Sequence, residues 1–259
     1  MRGTMDIEKL LQELVEKLKA AAGTSLKTVA LYGSAAGGEF HEKYSDLNVL
    51  CLVNELDGAK LEKLRAAAGW WTKKGHPAPL VFGEEELRSV ADVFPIEFLD
   101  IRAKRRVLYG EDVFAALEVP MKWHRAAVER ELETNLVRLR QNYLGGNLKA
   151  KGVMRLMTSS ISSFVTLFRH ALVARGEAPP QSAREAMDRL AAELGFDAAP
   201  LHAVWEVRER KRSESSMDAR ATWRAYVESL QRVAEAARPY LAETAGRTQT
   251  IATPPAEKP

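Results

Sequence analysis

The sequence predicts an α+β protein, a sheet flanked by helices followed by a helical bundle. Up to residue 118, short apolar segments typical of strands are interspersed with helical segments. Beyond residue 118, apolar side chains recur every three or four positions, as on the buried faces of helices. This change in periodicity predicts one domain over 1–118 and a helical domain over 119–245. Residues 246–259 are rich in Thr, Pro and Ala and are predicted to be a disordered tail.

The first three elements follow from local hydrophobic spacing. A helix is predicted where Ile7, Leu11, Leu14 and Leu18 recur at helical spacing, ending at Gly23. The period then changes to two, and 27–32 is predicted to be a short strand that runs into Gly-Ser. Residues 46–53 are apolar nearly throughout, which predicts a second strand in a central position of the sheet.

The following elements are predicted in the same way. A helix is expected over 58–71, a third strand over 78–82 and a short helix over 84–94. A fourth strand is expected over 96–101, introduced by Pro95. The helical half shows four or five further amphipathic segments, at 128–143, 157–172, 183–194 and one or two within 201–241.

Composition and charge limit the classes of function. The chain has 259 residues and a formal net charge of only +3, so we expect no dedicated nucleic-acid partner. A single cysteine, Cys51, excludes an internal disulfide and a Cys-based zinc cluster. The longest uncharged stretch, 156–168, is too short to cross a bilayer, and the first residues lack the apolar core of a signal peptide. We therefore expect a cytoplasmic protein without a membrane partner.

The segment that carries chemistry lies between the first two strands. Gly33 and Ser34 follow the first strand, and Ser45, Asp46 and Asn48 open the second. Because side chains two apart on a strand point to the same face, Asp46 and Asn48 are expected to project together beside the Gly33 turn. A small-residue turn beside oxygen ligands suits a nucleoside triphosphate and its Mg²⁺, since glycine allows close approach and carboxylates bind the metal.

These residues resemble the signature of the DNA polymerase beta-like nucleotidyltransferase superfamily. Its pattern is an apolar strand, Gly-Ser, then Asp-x-Asp or Asp-x-Glu in a strand and a third carboxylate on a later strand. Here Tyr32-Gly33-Ser34 matches the first part, and Ser45-Asp46-Leu47-Asn48 matches the second with one departure. The run 105–110 is also similar to small bacterial members, including minimal and aminoglycoside nucleotidyltransferases. The resemblance covers about residues 28–110, and the helical half is similar only in kind.

The resemblance implies roles for the acidic residues. Asp46 and a third acid would bind Mg²⁺, with Asn48 as an auxiliary ligand. For the third acid we prefer Glu97 to Asp100, because Glu97 occupies the centre of the predicted fourth strand, where the family places this residue. The two would point to opposite faces of a regular strand, so only one could serve.

The resemblance also implies a substrate site and a reaction. Gly33, Ser34 and Ser45 would hold the triphosphate of a nucleotide, expected to be ATP. The family transfers a nucleoside monophosphate, here expected to be AMP, to a hydroxyl group of a small molecule or protein. An appended helical bundle often shapes the acceptor site, which would suit residues 120–241. The nucleotide base, the acceptor and the oligomeric state stay open, a homodimer included.

Asn48 is the departure from the family pattern. An amide supplies a carbonyl oxygen but no charge, and it cannot bridge two cations as a carboxylate does. Two interpretations remain open. Asp46 with Glu97 or Asp100 carries a weaker metal site in an active nucleotidyltransferase, or catalysis is lost. In the second case the chain is a nucleotide-binding regulator, or a protein-interaction module of the antitoxin kind.

Overall fold

The computed structural model describes residues 2–33, 35–36, 46–146 and 148–242. Within these ranges the chain forms a mixed sheet and helices, and the predicted α+β class is confirmed. The chain divides into two compact units, Met1–Pro120 and Met121–Pro259, here called the sheet unit and the helical unit. The predicted tail at 246–259 lies outside the described residues.

The sheet unit contains four strands and four α-helices among its described residues. In chain order they are α1 (Arg2–Ala22), β1 (Leu26–Tyr32), β2 (Asn48–Val53), α2 (Gly58–Thr72), β3 (Leu80–Gly83), α3 (Glu84–Val90), α4 (Pro95–Ala103) and β4 (Arg105–Gly110). The strand order is β3-β2-β1-β4, so the predicted central position of the second strand is confirmed. β1 pairs antiparallel with both β2 and β4, whereas β3 pairs parallel with β2.

The core of the sheet unit forms on the face of the sheet that α1 and α2 cover. Alternate residues of β1 and β2 point to this face, because side chains of a strand alternate between its two faces. Asp57 caps the N-terminus of α2, because its carboxylate accepts a hydrogen bond from the Lys60 backbone N–H. The buried cluster joins residues of all four elements: Leu11, Leu14, Leu18, Val29, Leu31, Val49, Cys51, Val53, Leu64 and Trp71.

The prediction of a strand over 96–101 is wrong, because Pro95–Ala103 is the helix α4. Pro95 occupies the first turn, where its missing N–H is not needed and its fixed φ favours a helix. The polar residues Glu97 and Asp100 are three apart, which is a helical spacing, while the apolar residues around them are buried. A short apolar run does not by itself distinguish strand from helix, and length and spacing decide here.

The fourth strand is instead β4, for which the sequence analysis gave only a resemblance to small bacterial nucleotidyltransferases and no strand. Arg105 and Arg106 open this strand at the edge of the sheet. Charged residues are common on edge strands because they discourage pairing with another chain. Other element boundaries also differ from the predictions. The helix predicted over 84–94 ends at Val90, and the second strand begins at Asn48 rather than at Asp46.

The helical unit consists of five α-helices in its described part. They are α5 (Met121–Gly145), α6 (Ala150–Ala174), α7 (Ala183–Leu194), α8 (Ala199–Arg208) and α9 (Ala219–Ala242). Helix α6 is central, because it packs against each of the other four. Ser182 caps α7 by accepting from the Glu185 amide, and Gly195 ends that helix in the left-handed conformation.

Candidate functional site

The predicted residues Gly33, Asp46 and Asn48 lie at one end of the sheet. β1 ends at Tyr32, which pairs with Asn48 at the start of β2 and with Arg105 at the start of β4. Because both pairs are antiparallel, the carboxyl end of β1 and the amino ends of β2 and β4 meet there. β3 is parallel to β2, so the segment before β3 reaches the same end. We call this place the Gly33 end of the sheet.

Gly33 turns the chain directly after β1. Its φ of +81° lies in the left-handed region, where residues with a Cβ are strained. Its N–H donates to the Lys104 carbonyl at 3.0 Å, and its carbonyl accepts from the Ala36 N–H at 3.1 Å. A Cβ on Gly33 would lie 3.5 Å from Asn48 Nδ2, so the turn and the Asn48 side chain are neighbours. The Gly33 N–H is therefore already hydrogen-bonded within the protein.

Asp46 and Asn48 flank a residue of the core. Leu47 is only 1% exposed, whereas Asp46 is exposed and Asn48 is half-buried. The sequence argument assumed that Asp46 and Asn48 lie on one strand and point to the same face. Asp46 precedes β2, so this alternation does not apply to it. The burial of Leu47 has the same effect, because it holds the two polar residues away from the core on either side of it. Asn48 lies beside the turn at Gly33, and Asp46 lies near His76.

This donor set fits Mg²⁺ that is shared with a substrate. Among the described residues, no group of three or more His, Cys, Asp or Glu is placed to hold a metal ion. Asp46 offers one carboxylate, and Asn48 offers one neutral amide oxygen. Mg²⁺ in proteins is commonly held by one or two carboxylates together with substrate phosphates and water. Asp46 and Asn48 match that pattern and do not form an all-protein cage.

The third acid has no strand to occupy. Glu97 is exposed in the first turn of α4, and Asp100 is half-buried one turn later. The prediction that they point to opposite faces is wrong, because residues three apart on a helix share a side. The Lys104 carbonyl, which receives the Gly33 amide, directly follows α4. Asp100 is therefore nearer to the Gly33 end than Glu97, by roughly 4.5 Å along the helix axis.

Two predicted residues cannot be placed. Ser34 and Ser45, both expected to bind the triphosphate, lie outside the described residues.

His76 reaches the Gly33 end, although the sequence analysis assigned it no role. Its Nδ1 accepts from the Leu47 N–H at 3.5 Å, and its ring centroid lies 4.5 Å from that of the buried Trp71. Burial lowers the pKa of His76 below the usual value, and the nearby Asp46 carboxylate opposes this shift. His76 precedes β3, so only the parallel pairing of β3 with β2 could have predicted its position.

The arginines that open β4 are engaged within the protein. Arg105 makes a two-pronged ion pair with Asp112, with Nε–Oδ1 and Nη2–Oδ2 distances of 2.8 and 2.6 Å. The Arg105 guanidinium thereby lowers the pKa of the Asp112 carboxyl. Arg106 pairs with Glu8 at 2.7 Å. These side chains hold β4 in place, and we assign them no role at a phosphate.

A cavity in the described part of the sheet unit lies away from these residues. It has a volume of about 420 Å³ and is lined by residues that include Leu52, Glu84 and Leu117. Leu52 is near the carboxyl end of β2, and Glu84 follows β3, so the cavity is at the end of the sheet opposite Gly33.

No helix in the described part of the chain is long and apolar enough to span a membrane.

No family model and no curated protein matches the sequence. Among solved structures, the chain is similar to spectinomycin adenyltransferase AAD(9) from Enterococcus faecialis, solved with ATP and spectinomycin. The identity is 14%, 85% of this chain and 98% of that chain are covered, and the TM-score is 0.49. It is also similar to a toxin-antitoxin structure with AMP-PNP, at 19% identity, over 49% of this chain and 98% of that chain, with a TM-score of 0.33. Both TM-scores are below 0.5, and no conclusion about activity rests on either likeness.

Proposed function

We propose that this chain is a nucleotidyltransferase that transfers AMP from ATP to a hydroxyl group of a small molecule or protein. The observation that supports the proposal best is the convergence of Gly33, Asp46 and Asn48 at one end of the sheet. Their sequence pattern resembles that of nucleotidyltransferases, and their placement suits a triphosphate with Mg²⁺. We expect the reaction in the cytoplasm, where the lone thiol of Cys51 would stay reduced.

Each residue would contribute by its chemistry. Gly33 has no side chain to obstruct the phosphates, and its left-handed turn directs the chain around them. Asp46 would supply a charged ligand of Mg²⁺, and Asn48 would supply a neutral oxygen beside it. The metal, when bound, neutralises charge on the triphosphate and favours ionisation of the acceptor hydroxyl.

The proposed transfer is a displacement at the α-phosphorus of ATP. The acceptor oxygen forms a bond to the α-phosphorus while the bond from this atom to the oxygen shared with the β-phosphate breaks. Pyrophosphate leaves, and the hydroxyl proton passes to solvent or to a neighbouring base. Asp46 and Asn48 hold the reactants in line, and a helix residue, Asp100 or Glu97, would complete the site.

A second candidate function is a nucleotide-binding regulator without transferase activity. Asn48 favours it, because the amide lowers the negative charge of the site by one relative to a paired-acid site. The absence of a strand at 96–101 favours it too, because the third acid then lacks its expected position. In this case the helical unit would bind a protein partner, as an antitoxin-like module does.

Calorimetric titration of ATP, with and without Mg²⁺, tests the nucleotide site. We expect Mg²⁺-dependent binding to the natural protein that weakens about tenfold or more in Asp46→Ala. Asn48→Asp should strengthen the Mg²⁺-dependent part, because a second carboxylate binds the cation directly. Asp92→Ala, which removes an exposed acid from the turn after α3, is the matched control and should bind as the natural protein does. Absence of ATP binding under both conditions would refute the proposal.

Transfer of labelled AMP separates the two candidates. If only Asn48→Asp transfers AMP to an acceptor or to the protein itself, the natural chain is a regulator. If the natural chain transfers AMP, Asp100→Asn should slow the reaction about tenfold or more, as typical for residues around a metal. Glu97→Gln should then change the rate by less than about twofold, since Glu97 is exposed and one turn farther from Gly33. A larger loss in Glu97→Gln would identify that residue as the third acid.

A further inference from the structure

His76 is held beside the Gly33 end from two directions. Its ring lies against the indole of Trp71, with 4.5 Å between centroids and an angle of 35° between the planes. Trp71 is fully buried on α2, so this neighbour is fixed by the core. From the other direction, the Leu47 N–H donates to Nδ1 at 3.5 Å. The imidazole is therefore tied to the residue between Asp46 and Asn48.

The hydrogen bond from Leu47 determines what the other ring nitrogen can do. When Nδ1 accepts, the proton of a neutral imidazole lies on Nε2. When the ring is charged, Nε2 also carries a proton. While Nδ1 faces the Leu47 N–H, Nε2 is therefore a hydrogen-bond donor and not a metal ligand. Among the described residues no group accepts a hydrogen bond from Nε2. A half-buried donor thus stands next to the segment that carries Asp46.

The charge of the site indicates what such a donor would bind. Asp46 is the one acid that flanks Leu47, and Asn48 and a neutral His76 add no charge. A triphosphate brings several negative charges and many acceptor oxygens, and hydrogen bonds to such oxygens are about twice as strong as neutral ones. A donor beside the metal-binding carboxylate therefore suits a phosphate oxygen, whereas it offers nothing to the cation.

We propose that His76 belongs to the nucleotide site and donates a hydrogen bond from Nε2 to a phosphate oxygen of the bound nucleotide. This inference rests on the proposed function, since it requires a nucleotide at the Gly33 end. It makes His76 a residue of substrate binding that the Gly-Ser and Asp-x-Asn pattern does not contain. In this arrangement Nδ1 accepts the hydrogen bond from the Leu47 N–H, and Nε2 donates to the nucleotide.

Two amide variants separate these tasks. His76→Asn keeps an acceptor oxygen near the position of Nδ1 and removes Nε2, while His76→Gln places an amide N–H near Nε2 and removes Nδ1. We expect His76→Asn to weaken ATP binding about tenfold, the loss for one charge-assisted hydrogen bond. His76→Gln should stay within about threefold of the natural protein. His202→Asn in the helical unit is the matched control and should leave ATP binding unchanged.

Comparison of ATP with adenosine distinguishes a phosphate contact from a structural role. The loss in His76→Asn should disappear with adenosine, which has no phosphate oxygens. An equal loss for both ligands, or no loss for ATP, would overturn the role of Nε2. If the natural protein binds ATP and Asp46→Ala weakens it while His76→Asn does not, only the inference about His76 fails. If the natural protein binds no ATP, the proposed function fails with it.

Discussion

At the scale of single residues, Asn48 sets the chemistry of the candidate site. It is the first residue of β2, and its amide lies next to the turn at Gly33. Together with its acidic neighbour Asp46, it forms a pair that offers one negative charge and two kinds of oxygen donor. Such a site binds Mg²⁺ weakly without a triphosphate, because the phosphates must supply the remaining ligands. Binding of nucleotide and binding of metal should therefore be coupled.

Asp112 provides a prediction about pH. Hydrogen bonds from Arg105 are the main cause that lowers the pKa of its carboxyl from the ordinary value of 3.8. The pair therefore contributes its full stability above pH 3.8, and the contribution is lost as the pH falls through the lower pKa of the folded state. We expect Asp112→Asn to lower the free energy of unfolding by about 1 kcal/mol at neutral pH.

Denaturant unfolding at several pH values checks this expectation. The difference between Asp112→Asn and the natural protein should shrink as the pH falls below about 4, where the Asp112 carboxyl of the unfolded chain begins to bind protons while the ion-paired carboxyl of the folded chain does not. Glu8→Gln is the matched control, because the Arg106–Glu8 pair, at 43% and 47% exposure, is more exposed than the Arg105–Asp112 pair, at 17% and 40%. Its effect should stay below about 0.5 kcal/mol. A constant difference across all pH values would contradict the assigned role of the ion pair.

At the scale of elements, Gly110 fixes where β4 ends. Its φ is +80°, and a Cβ at this position would overlap the carbonyl oxygen of Lys27 in β1. Gly110→Ala should therefore destabilise the sheet unit by about 3 kcal/mol or more, from backbone strain and displacement of a paired strand. Gly69→Ala is the opposite control, because this residue lies within α2 with nothing within 4 Å of the new Cβ.

Thermal and denaturant unfolding of the two glycine variants measures the contrast. Gly69→Ala should raise the free energy of unfolding by about 0.5–1 kcal/mol, since alanine favours helix and restricts the unfolded chain. The two changes add the same methyl group, so their opposite signs would isolate the backbone geometry at Gly110. If both variants had the same stability, Gly110 would not be the residue that ends the strand.

Elements were predictable from the sequence where their signals are local. Strand β2 is buried on both faces, which produces a continuous apolar run in the sequence. Helix α1 is buried on one face, which produces apolar residues at helical spacing. Each pattern predicts its element. Helix α4 was missed because Ile96–Ile101 is too short for its polar spacing to outweigh the apolar content. Strand β4 was missed because an edge strand carries charges that resemble those of a loop.

The candidate site was predictable in part for the same reason. Gly33, Asp46 and Asn48 are joined by one antiparallel strand pair, which consecutive strands commonly form. His76 depends on the parallel pairing of β3 with β2 across the helix α2, and no local pattern encodes that pairing. The same holds for the position of Asp100, which depends on the bond between Gly33 and Lys104.

At the scale of the whole molecule, the described chain has two cores with different organisation. The core of the sheet unit joins a mixed sheet to α1 and α2. The helical unit is built around α6, whose buried residues meet the other four helices. Since each unit buries its own apolar face, we expect each to have its own local stability, and a change in one core should act mainly within its unit.

Phe168→Ala tests this expectation in the full-length chain. Phe168 is fully buried on α6, with ring centroids 6.5 Å from Phe164 and 6.3 Å from Phe196. Loss of its ring should leave a cavity and cost about 3–5 kcal/mol in the helical unit. Hydrogen exchange followed by mass spectrometry should then show faster exchange in peptides from α5 to α9, while peptides from β1 and β2 keep their protection.

Leu144→Ala is the control for this experiment, because Leu144 is 82% exposed and its truncation should change stability by less than about 0.5 kcal/mol. ATP titration of Phe168→Ala adds a second measurement. The candidate nucleotide residues all belong to the sheet unit, so their affinity for ATP should be retained while the helical unit is weakened. Equal loss of protection in both units would mean that the chain unfolds as one cooperative block. In that case, weakening the helical unit would also weaken the fold around the candidate nucleotide site.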